Sequence, residues 1–214
     1  MKRLIALLFA ALVSSFALSG PSLAAEPQAG REFKQVNPPL PGSKGKIEVI
    51  EFFSYGCPHC SDFHPFVTQW AAKLPKDVSL RRVPVSFNRP EWARLARIYY
   101  ALEATGDLAK LDDAVFIAIH EQRVVFRTDE AAVAWAAAKG ADGKKFGDAL
   151  VSFSMQSKVQ RGDQEATAAR ISGVPALVVD GKFLVNNEAA GNFEELLKLT
   201  DAVIAKARKE RSGK

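Results

Sequence analysis

Cysteine is scarce in this chain: its 214 residues include two, Cys57 and Cys60. A disulfide between them would close a very short loop, whereas a structural disulfide stabilises more when its loop is long. The pair is therefore a poor cross-link, and redox chemistry explains it better. Structural zinc takes about four ligands, and without a second C-x-x-C motif such a site would need awkward geometry. Haem attachment is excluded because Ser61, and not histidine, follows Cys60.

The chain also lacks a run of interleaved basic and aromatic residues, and its acidic and basic side chains are mixed along the sequence. The formal charge of +5 therefore does not indicate nucleic-acid binding. Beyond the N-terminus no segment has the roughly 20 apolar residues that a bilayer-spanning helix needs. With 48% hydrophobic and 25% charged residues, the chain is expected to fold into a packed globular protein that does not itself span a membrane.

The N-terminus has the pattern of a secretion signal. Two basic residues precede an apolar stretch over residues 4–18, and small residues stand before a cleavage site after Ala24. Cleavage after Ala25 fits nearly as well, and we assign residues 1–25 to the signal peptide. The alternative is a membrane anchor, for which the apolar stretch is short. Export would place the cysteines in a compartment where disulfides form and persist.

The first part of the mature chain alternates strand and helix. Residues 26–45 are rich in proline and glycine and predict an extended or irregular lead-in. Residues 47–53 and 78–85 have the β-branched and aromatic composition of strands. A helix is expected between them, beginning at Pro58, because proline suits the first helical position.

The middle of the chain is helical, since strand signals are nearly absent from residues 88–170. Helices are expected to begin at Pro90, near Leu108 and after Thr128, and a fourth is expected over about 143–160. Strands then return in a hairpin around Asp180-Gly181, followed by a final helix. This order predicts an α/β fold that carries an inserted helical domain.

The order strand, C-x-x-C, helix places Cys57 at the N-cap of a helix, beside unpaired N–H groups that favour a thiolate. Cys60 lies one turn further and closer to the core, where it can attack a mixed disulfide formed at Cys57. His59 can stabilise the thiolate by a hydrogen bond or by its charge; the alternative is an exposed residue without a role. Each pK unit of thiolate stabilisation is about 1.4 kcal/mol, or about 30 mV of oxidising potential.

Three further ionisable residues are candidate members of the active site. Glu51 stands in an apolar strand, where a charge is costly unless it is used, and alternation places it on the opposite face from Glu48. The alternative for Glu51 is a carboxylate at a strand edge that reaches water. His64 is four residues after Cys60 and could share a helix face with it, but we expect it to pack or to be solvated. His120 lies in the helical segment without an evident partner, and we expect no role for it.

Two segments carry a family resemblance: V-I-E-F-F-S-Y-G-C-P-H-C over residues 49–60 and I-S-G-V-P-A-L-V-V-D-G-K over residues 171–182. Both are similar to the DsbA family of thiol–disulfide interchange proteins. The resemblance implies a thioredoxin-like fold, with a central mixed β-sheet flanked by helices and an inserted all-helical domain. We accordingly expect the thioredoxin-like domain over 26–87 and 163–214, and the insertion over 88–162.

The resemblance also implies roles for single residues. Cys57 would be the nucleophile and Cys60 the resolving cysteine, and the dipeptide Pro58-His59 between them favours an oxidant over a reductant. Glu51 would help to move a proton to the buried cysteine. Val174 would pair its backbone with an extended substrate peptide, and Pro175 would be a cis-proline facing the disulfide.

As a whole, the resemblance implies a periplasmic oxidase for reduced, unfolded secreted proteins. A DsbB-type, quinone-linked inner-membrane protein would re-oxidise it, and no cofactor other than the Cys57–Cys60 disulfide is expected. Two alternatives stay open: a periplasmic reductase or isomerase, and a non-catalytic peptide-binding module. Periplasmic isomerases usually add a dimerisation domain, for which the segment before the first strand is too short, so we expect a monomer.

Overall fold

The computed structural model describes residues 26–43, 45–185 and 187–213, so the predicted signal peptide, residues 1–25, lies outside the described residues. The elements are β1 Phe33–Gln35, β2 Ile47–Phe53, α1 Pro58–Ala71, β3 Val78–Pro84, α2 Pro90–Thr105, α3 Leu108–His120, α4 Asp129–Ala138, α5 Gly143–Leu150, α6 Phe153–Ala168, β4 Ala176–Val179, β5 Phe183–Val185 and α7 Phe193–Ser212. None of the helices in these ranges is long and apolar enough to cross a membrane.

The five strands form one mixed sheet in the order β1-β5-β4-β2-β3. Strand β2 runs parallel to β3 on one side and antiparallel to β4 on the other. The predicted hairpin is confirmed, because residues 180–182 connect β4 to β5. The N–H of Lys182 donates to the carbonyl of Val179 at 3.0 Å, and the two central residues of this turn, Asp180 and Gly181, have φ of +55° and +66°. Positive φ at both central residues is the requirement of the two-residue turn that matches strand twist. The expectation of a mixed α/β sheet is thereby confirmed.

Helices cover both faces of the sheet. On one face, Phe63 and Val67 of α1 and Val203 of α7 share a buried core with Val49 and Val179 of the sheet. On the other face, the end of α6 packs on the alternate residues of β2 and β4. The strand residues are buried on both sides, so β2 reads as a continuous apolar run interrupted by its two glutamates.

Helices α2 to α5 and the first part of α6 enclose a separate core that also includes Phe53, Tyr55 and both cysteines. The end of the central strand and the redox loop therefore lie where the two cores meet. Helix α6 is continuous through residue 162, so its C-terminal turns return the chain to the sheet without a break. The division into residues 26–87, 88–162 and 163–214 stays a prediction.

One local expectation was wrong. A single helix over 143–160 is replaced by α5 and α6, because Ser152 adopts an extended conformation with ψ of 146° and starts a new helix. Within the lead-in over residues 26–45, the extended part is the strand β1, which pairs antiparallel with β5. The partners in that pairing are about 150 residues apart in sequence, and local composition does not show them.

Candidate active site

The redox loop, defined here as residues 54–57, connects the buried end of β2 to the start of α1. The N–H of Cys57 donates to the carbonyl of Ser54 at 3.1 Å, which closes the loop as a turn. Cys57 is the N-cap of α1, with φ of −95° and ψ of 118°, and Pro58 occupies the first turn. The sequence-based placement of this cysteine at a helix start is thus what the chain adopts.

The two thiols differ in exposure. Cys57 is 7% exposed and Cys60 is fully buried, whereas Pro58 and His59 between them are exposed. The Sγ atom of Cys57 lies 3.4 Å from the carbonyl oxygen of Val174. Only one sulfur of the pair therefore reaches the surface, and it does so against the loop that precedes β4.

The surroundings shift the pKa values of the two thiols in opposite directions. A hydrogen bond from the Cys60 thiol, together with the backbone N–H groups of His59 and Cys60 and the charge of His59, lowers the pKa of Cys57 to about 6 despite burial. Burial raises the pKa of Cys60 far above its ordinary value, and the thiolate of Cys57 and the charge of Glu51 add to that effect. A thiolate at Cys57 and a thiol at Cys60 are the stable forms near neutral pH.

Glu51 is fully buried, so the alternative of a carboxylate reaching water at a strand edge is wrong. Its Oε2 atom accepts a hydrogen bond from Nε of Arg82 at 2.7 Å, whereas Oε1 is buried without a hydrogen-bond partner. Glu48 lies on the opposite face and pairs with Arg81 at 3.2 Å, as strand alternation predicts. One oxygen of Glu51 is thus buried without a hydrogen-bond partner, and the carboxylate acts electrostatically on the Cys60 thiol.

Arg82 is a site residue that sequence reasoning missed. Its guanidinium lies 4.1 Å from the centre of the Phe53 ring and reaches Asp112 of α3 as well as Glu51. Burial alone would lower the pKa of Arg82, but the two carboxylates raise it above its ordinary value. The guanidinium of Arg82 thus connects the sheet to helix α3 of the helical insertion.

Both histidines outside the motif also have partners that the sequence did not reveal. His64 is buried, with Nε2 at 2.6 Å from Asp113 and 3.5 Å from Asp112. His120 has Nε2 at 2.8 Å from the carbonyl oxygen of Tyr55. No local sequence signal marks either contact, because the partners of His64 and His120 lie 49 and 65 residues away in the sequence.

The loop before β4 faces Cys57 and contains a cis peptide bond between Val174 and Pro175. The side-chain amide of Asn187 donates to the carbonyl oxygen of Pro175 at 2.5 Å. A cavity of about 250 Å³ lies beside this loop, bounded also by Leu184 and Val185 of the β5 edge. The structure therefore places Val174 against the sulfur of Cys57, and the cavity lies along Val174, Pro175 and the β5 edge.

Comparison with known proteins assigns most of the chain to one family. Residues 48–198 match the family model described as a DSBA-like thioredoxin domain. The thiol:disulfide interchange protein DsbA of Bordetella parapertussis is 40% identical over 206 residues, which cover 94% of this chain and 98% of that protein.

Solved structures agree with the sequence comparison. The crystal structure of Pseudomonas aeruginosa DsbA superposes with a TM-score of 0.82 at 36% identity, covering 87% of this chain and 97% of that one. A Proteus mirabilis DsbA solved with a non-covalently bound peptide has a TM-score of 0.72 at 26% identity, covering 86% of this chain and 98% of that one. The chain belongs to the DsbA family of thiol–disulfide oxidoreductases and has its thioredoxin-like fold.

Proposed function

We propose that the protein is a periplasmic oxidase that transfers the Cys57–Cys60 disulfide to reduced, folding secreted proteins. A substrate thiolate attacks Sγ of Cys57, and the intramolecular S–S bond breaks as Cys60 leaves with the electron pair and takes a proton. The second substrate thiolate attacks the substrate sulfur of this mixed disulfide. Cys57 is then released as a thiolate, and the substrate has lost two electrons to the pair.

The observation that carries this proposal is the placement of Cys57 as the N-cap of α1, where hydrogen bonds from Cys60 and from the backbone lower its pKa to about 6. At pH 7 roughly ten thiolates exist for each thiol, which stabilises the reduced pair by about 1.4 kcal/mol relative to an ordinary cysteine. For a two-electron couple this corresponds to about 30 mV of added oxidising power. A low pKa also makes Cys57 a good leaving group in the last step, which favours release of an oxidised product.

The carboxylate of Glu51 supports the proton step at Cys60. Cys60 is fully buried, and its strongly raised pKa requires a proton when the disulfide opens. Glu51 is also buried, interacts electrostatically with Cys60, and has one oxygen without a hydrogen-bond partner. We assign Glu51 the task of relaying that proton, with Arg82 holding its other oxygen.

Val174 and Pro175 are the proposed substrate-binding residues. Their loop faces the exposed sulfur, with Sγ of Cys57 at 3.4 Å from the Val174 carbonyl, and a groove of about 250 Å³ continues from it. The related Proteus mirabilis protein was solved with a peptide that contains a cysteine. An extended segment of a reduced polypeptide is the ligand that this arrangement fits.

Re-oxidation requires a partner, because each transfer leaves the pair as a dithiol. We assign this step to a DsbB-type, quinone-linked protein of the inner membrane, which accepts the two electrons. No cofactor is needed besides the disulfide itself, and we propose that the exported protein acts as a monomer without a nucleic-acid partner. The N-terminal secretion pattern supports the periplasmic location.

An equilibrium redox titration of the exported chain against glutathione tests the proposal. We expect a potential well above that of cytosolic thioredoxin, about −270 mV. A potential at or below that value would contradict an oxidase and favour a reductase. Cys57→Ser should abolish oxidation of a reduced model peptide.

Cys60→Ser tests which cysteine is attacked. This variant keeps the Cys57 sulfur, whose thiolate can attack a disulfide of a secreted protein, form a mixed disulfide and release the other substrate sulfur as a thiolate. It lacks the thiol that would displace the bound substrate, so it should accumulate mixed disulfides when incubated with oxidised secreted proteins. Cys57→Ser is the matched control and should trap none, because its remaining thiol is buried. Trapping by Cys57→Ser instead would reverse the roles of the two residues.

A further inference from the structure

Helix α3 holds Tyr55, a residue of the redox loop, at both of its ends. The hydroxyl of Tyr55 donates a hydrogen bond to Oδ1 of Asp112 at 2.5 Å, near the start of the helix. The carbonyl oxygen of Tyr55 lies 2.8 Å from Nε2 of His120, the last residue of the helix. Because a carbonyl oxygen only accepts, Nε2 must carry the proton. Asp112 and His120 are two turns apart, about 12 Å, so the tyrosine lies along the helix.

The contacts around Tyr55 are buried and closely packed. Its ring is 1% exposed and meets Phe116 of α3 edge-on, with ring centres 4.8 Å apart. The imidazole of His120 stacks on the ring of Phe116, with ring centres 6.2 Å apart. The charged and titratable groups that face the tyrosine are Asp112 and His120 from α3, Arg82 from β3 and Tyr99 from α2. Burial raises the pKa of the Tyr55 hydroxyl well above its ordinary value, so that it stays a donor.

The carbonyl that His120 holds belongs to the central peptide of the turn that carries Cys57. Ser54 and Cys57 close that turn by a backbone hydrogen bond, which makes Tyr55 and Gly56 its two central residues. The central peptide of such a turn can flip between two orientations, and the second one requires positive φ at the residue after it. Gly56 has no positive φ here, yet glycine would permit the flip. The hydrogen bond from His120 selects the present orientation.

We propose that Asp112 and His120 are positioning residues of the oxidoreductase, which act through Tyr55 to fix the redox loop and hence the place of Cys57 at the start of α1. The inference rests on the proposed function, in which Cys57 is the reacting sulfur. The orientation of the turn determines the position of the Cys57 sulfur relative to the N–H groups of the first helical turn. These N–H groups stabilise its thiolate. The inserted helical domain thereby contributes to the chemistry of a motif that lies outside it.

The test compares variants that remove single contacts. His120→Leu removes the donor to the carbonyl, and Tyr55→Phe removes the donor to Asp112 but keeps the ring. His120→Gln restores an N–H donor at the same position. Lys110→Met is the matched control, since Lys110 also donates from α3 to a backbone carbonyl, that of Gly140, away from the redox loop. Unfolding temperature, the rate of alkylation of reduced Cys57 by iodoacetamide, and the thiolate titration at 240 nm are measured for each.

We expect alkylation at pH 6 to slow by up to about threefold in His120→Leu and Tyr55→Phe. One net hydrogen bond represents about a fivefold ratio, which lowers the thiolate fraction at that pH from about one half to about one sixth when the starting pKa is about 6. The thiolate midpoint should move upward by up to about 0.7 pH units, since the same ratio applies to that equilibrium. His120→Gln and Lys110→Met should behave as wild type in both measurements. If His120→Leu and Tyr55→Phe lower only the unfolding temperature and leave both thiol measurements unchanged, the contacts are merely structural and the proposal is wrong. Failure of the wild-type protein to oxidise a dithiol peptide would instead overturn the proposed function, because alkylation of Cys57 does not depend on oxidase activity.

Discussion

Cys57 and Cys60 are chemically identical side chains that the fold places in opposite electrostatic settings. Cys57 receives hydrogen bonds from Cys60 and from the backbone at the start of α1, whereas Cys60 is enclosed by apolar side chains and lies near the carboxylate of Glu51. The difference favours one thiolate and one thiol in the reduced pair. This asymmetry supports the proposed roles, in which the substrate attacks Cys57 and later releases it as a thiolate, and Cys60 is the resolving cysteine.

The imidazole of His59 acts electrostatically on the same thiolate, and it lowers the pKa of Cys57 by less than the hydrogen bonds do. We expect His59→Leu to raise the midpoint of the Cys57 thiolate titration by less than about 1 pH unit, because the backbone N–H at this position remains and the exposed charge is screened. Absorbance at 240 nm measures the midpoint. In 1 M salt the variant and the wild type should converge, and an equal midpoint at low salt would contradict a role for the charge.

At the level of residues, the sequence predicted the members of the site that lie within one motif. Cys57 and Cys60 follow from spacing, and Glu51 from a charge inside an apolar strand. Arg82 and Asp112 did not follow, because each is an ordinary charged residue in its own element, and their pairing joins segments about 30 residues apart. Such contacts depend on how α3 packs against the sheet, which local patterns do not specify.

Among the elements, the redox loop and helix α2 approach closely at Gly56. A Cβ atom on Gly56 would lie 2.7 Å from Nε1 of Trp92 and 3.2 Å from Cδ1 of Leu95. The indole is held between the loop and the ring of Phe87, 6.1 Å away, and by the guanidinium of Arg89 at 4.6 Å. The absence of a side chain at Gly56 therefore allows α2 to pack against the segment that carries the nucleophile.

Gly56→Ala is expected to lower the free energy of unfolding by about 1–3 kcal/mol, because the added methyl must displace Trp92 or move the loop. Chemical denaturation of the reduced protein measures this change. Gly191→Ala is the control, since a Cβ there would meet no atom within 4 Å, and it should leave stability within about 0.5 kcal/mol or slightly raise it. Equal stabilities of the two variants would show that the loop accommodates a side chain.

Sequence patterns predicted the elements that have strong local signals. Strand β2, helix α1 with Pro58 in its first turn, and the turn at Asp180-Gly181 all have them. The short strand β1 did not, because it is defined by its distant partner β5. The break between α5 and α6 was missed because apolar spacing continues across Ser152, although this residue can end one helix and begin the next.

On the scale of the whole molecule, the helical insertion and the sheet share the redox pair. The core of the insertion includes Cys57 and Cys60 together with Phe53 at the end of β2. Arg82 joins the two parts by pairing with Glu51 in the sheet and Asp112 in α3. Residues of both parts therefore surround the disulfide, and a thioredoxin-like domain alone would lack those that the helical insertion contributes.

The redox potential of the whole protein should reflect these surroundings in its dependence on pH. Below about pH 6 the reduced pair binds two protons, one on each sulfur, so the potential should fall by about 59 mV for each pH unit. Above the Cys57 pKa of about 6, reduction leaves Cys57 as a thiolate and protonates only Cys60. The fall should then be about 30 mV per pH unit, because one proton accompanies two electrons.

Glutathione titrations between pH 5 and 8, corrected for the protons of glutathione itself, locate the change of slope. The break belongs to the low-pKa sulfur, so it should move to higher pH in His59→Leu by the same amount as the thiolate midpoint. An unbroken slope of about 59 mV per pH unit up to pH 8 would mean that Cys57 titrates as an ordinary cysteine. The protein would then lack the stabilised thiolate that makes its disulfide an oxidant, and the direction of electron flow would have to come from the partner proteins.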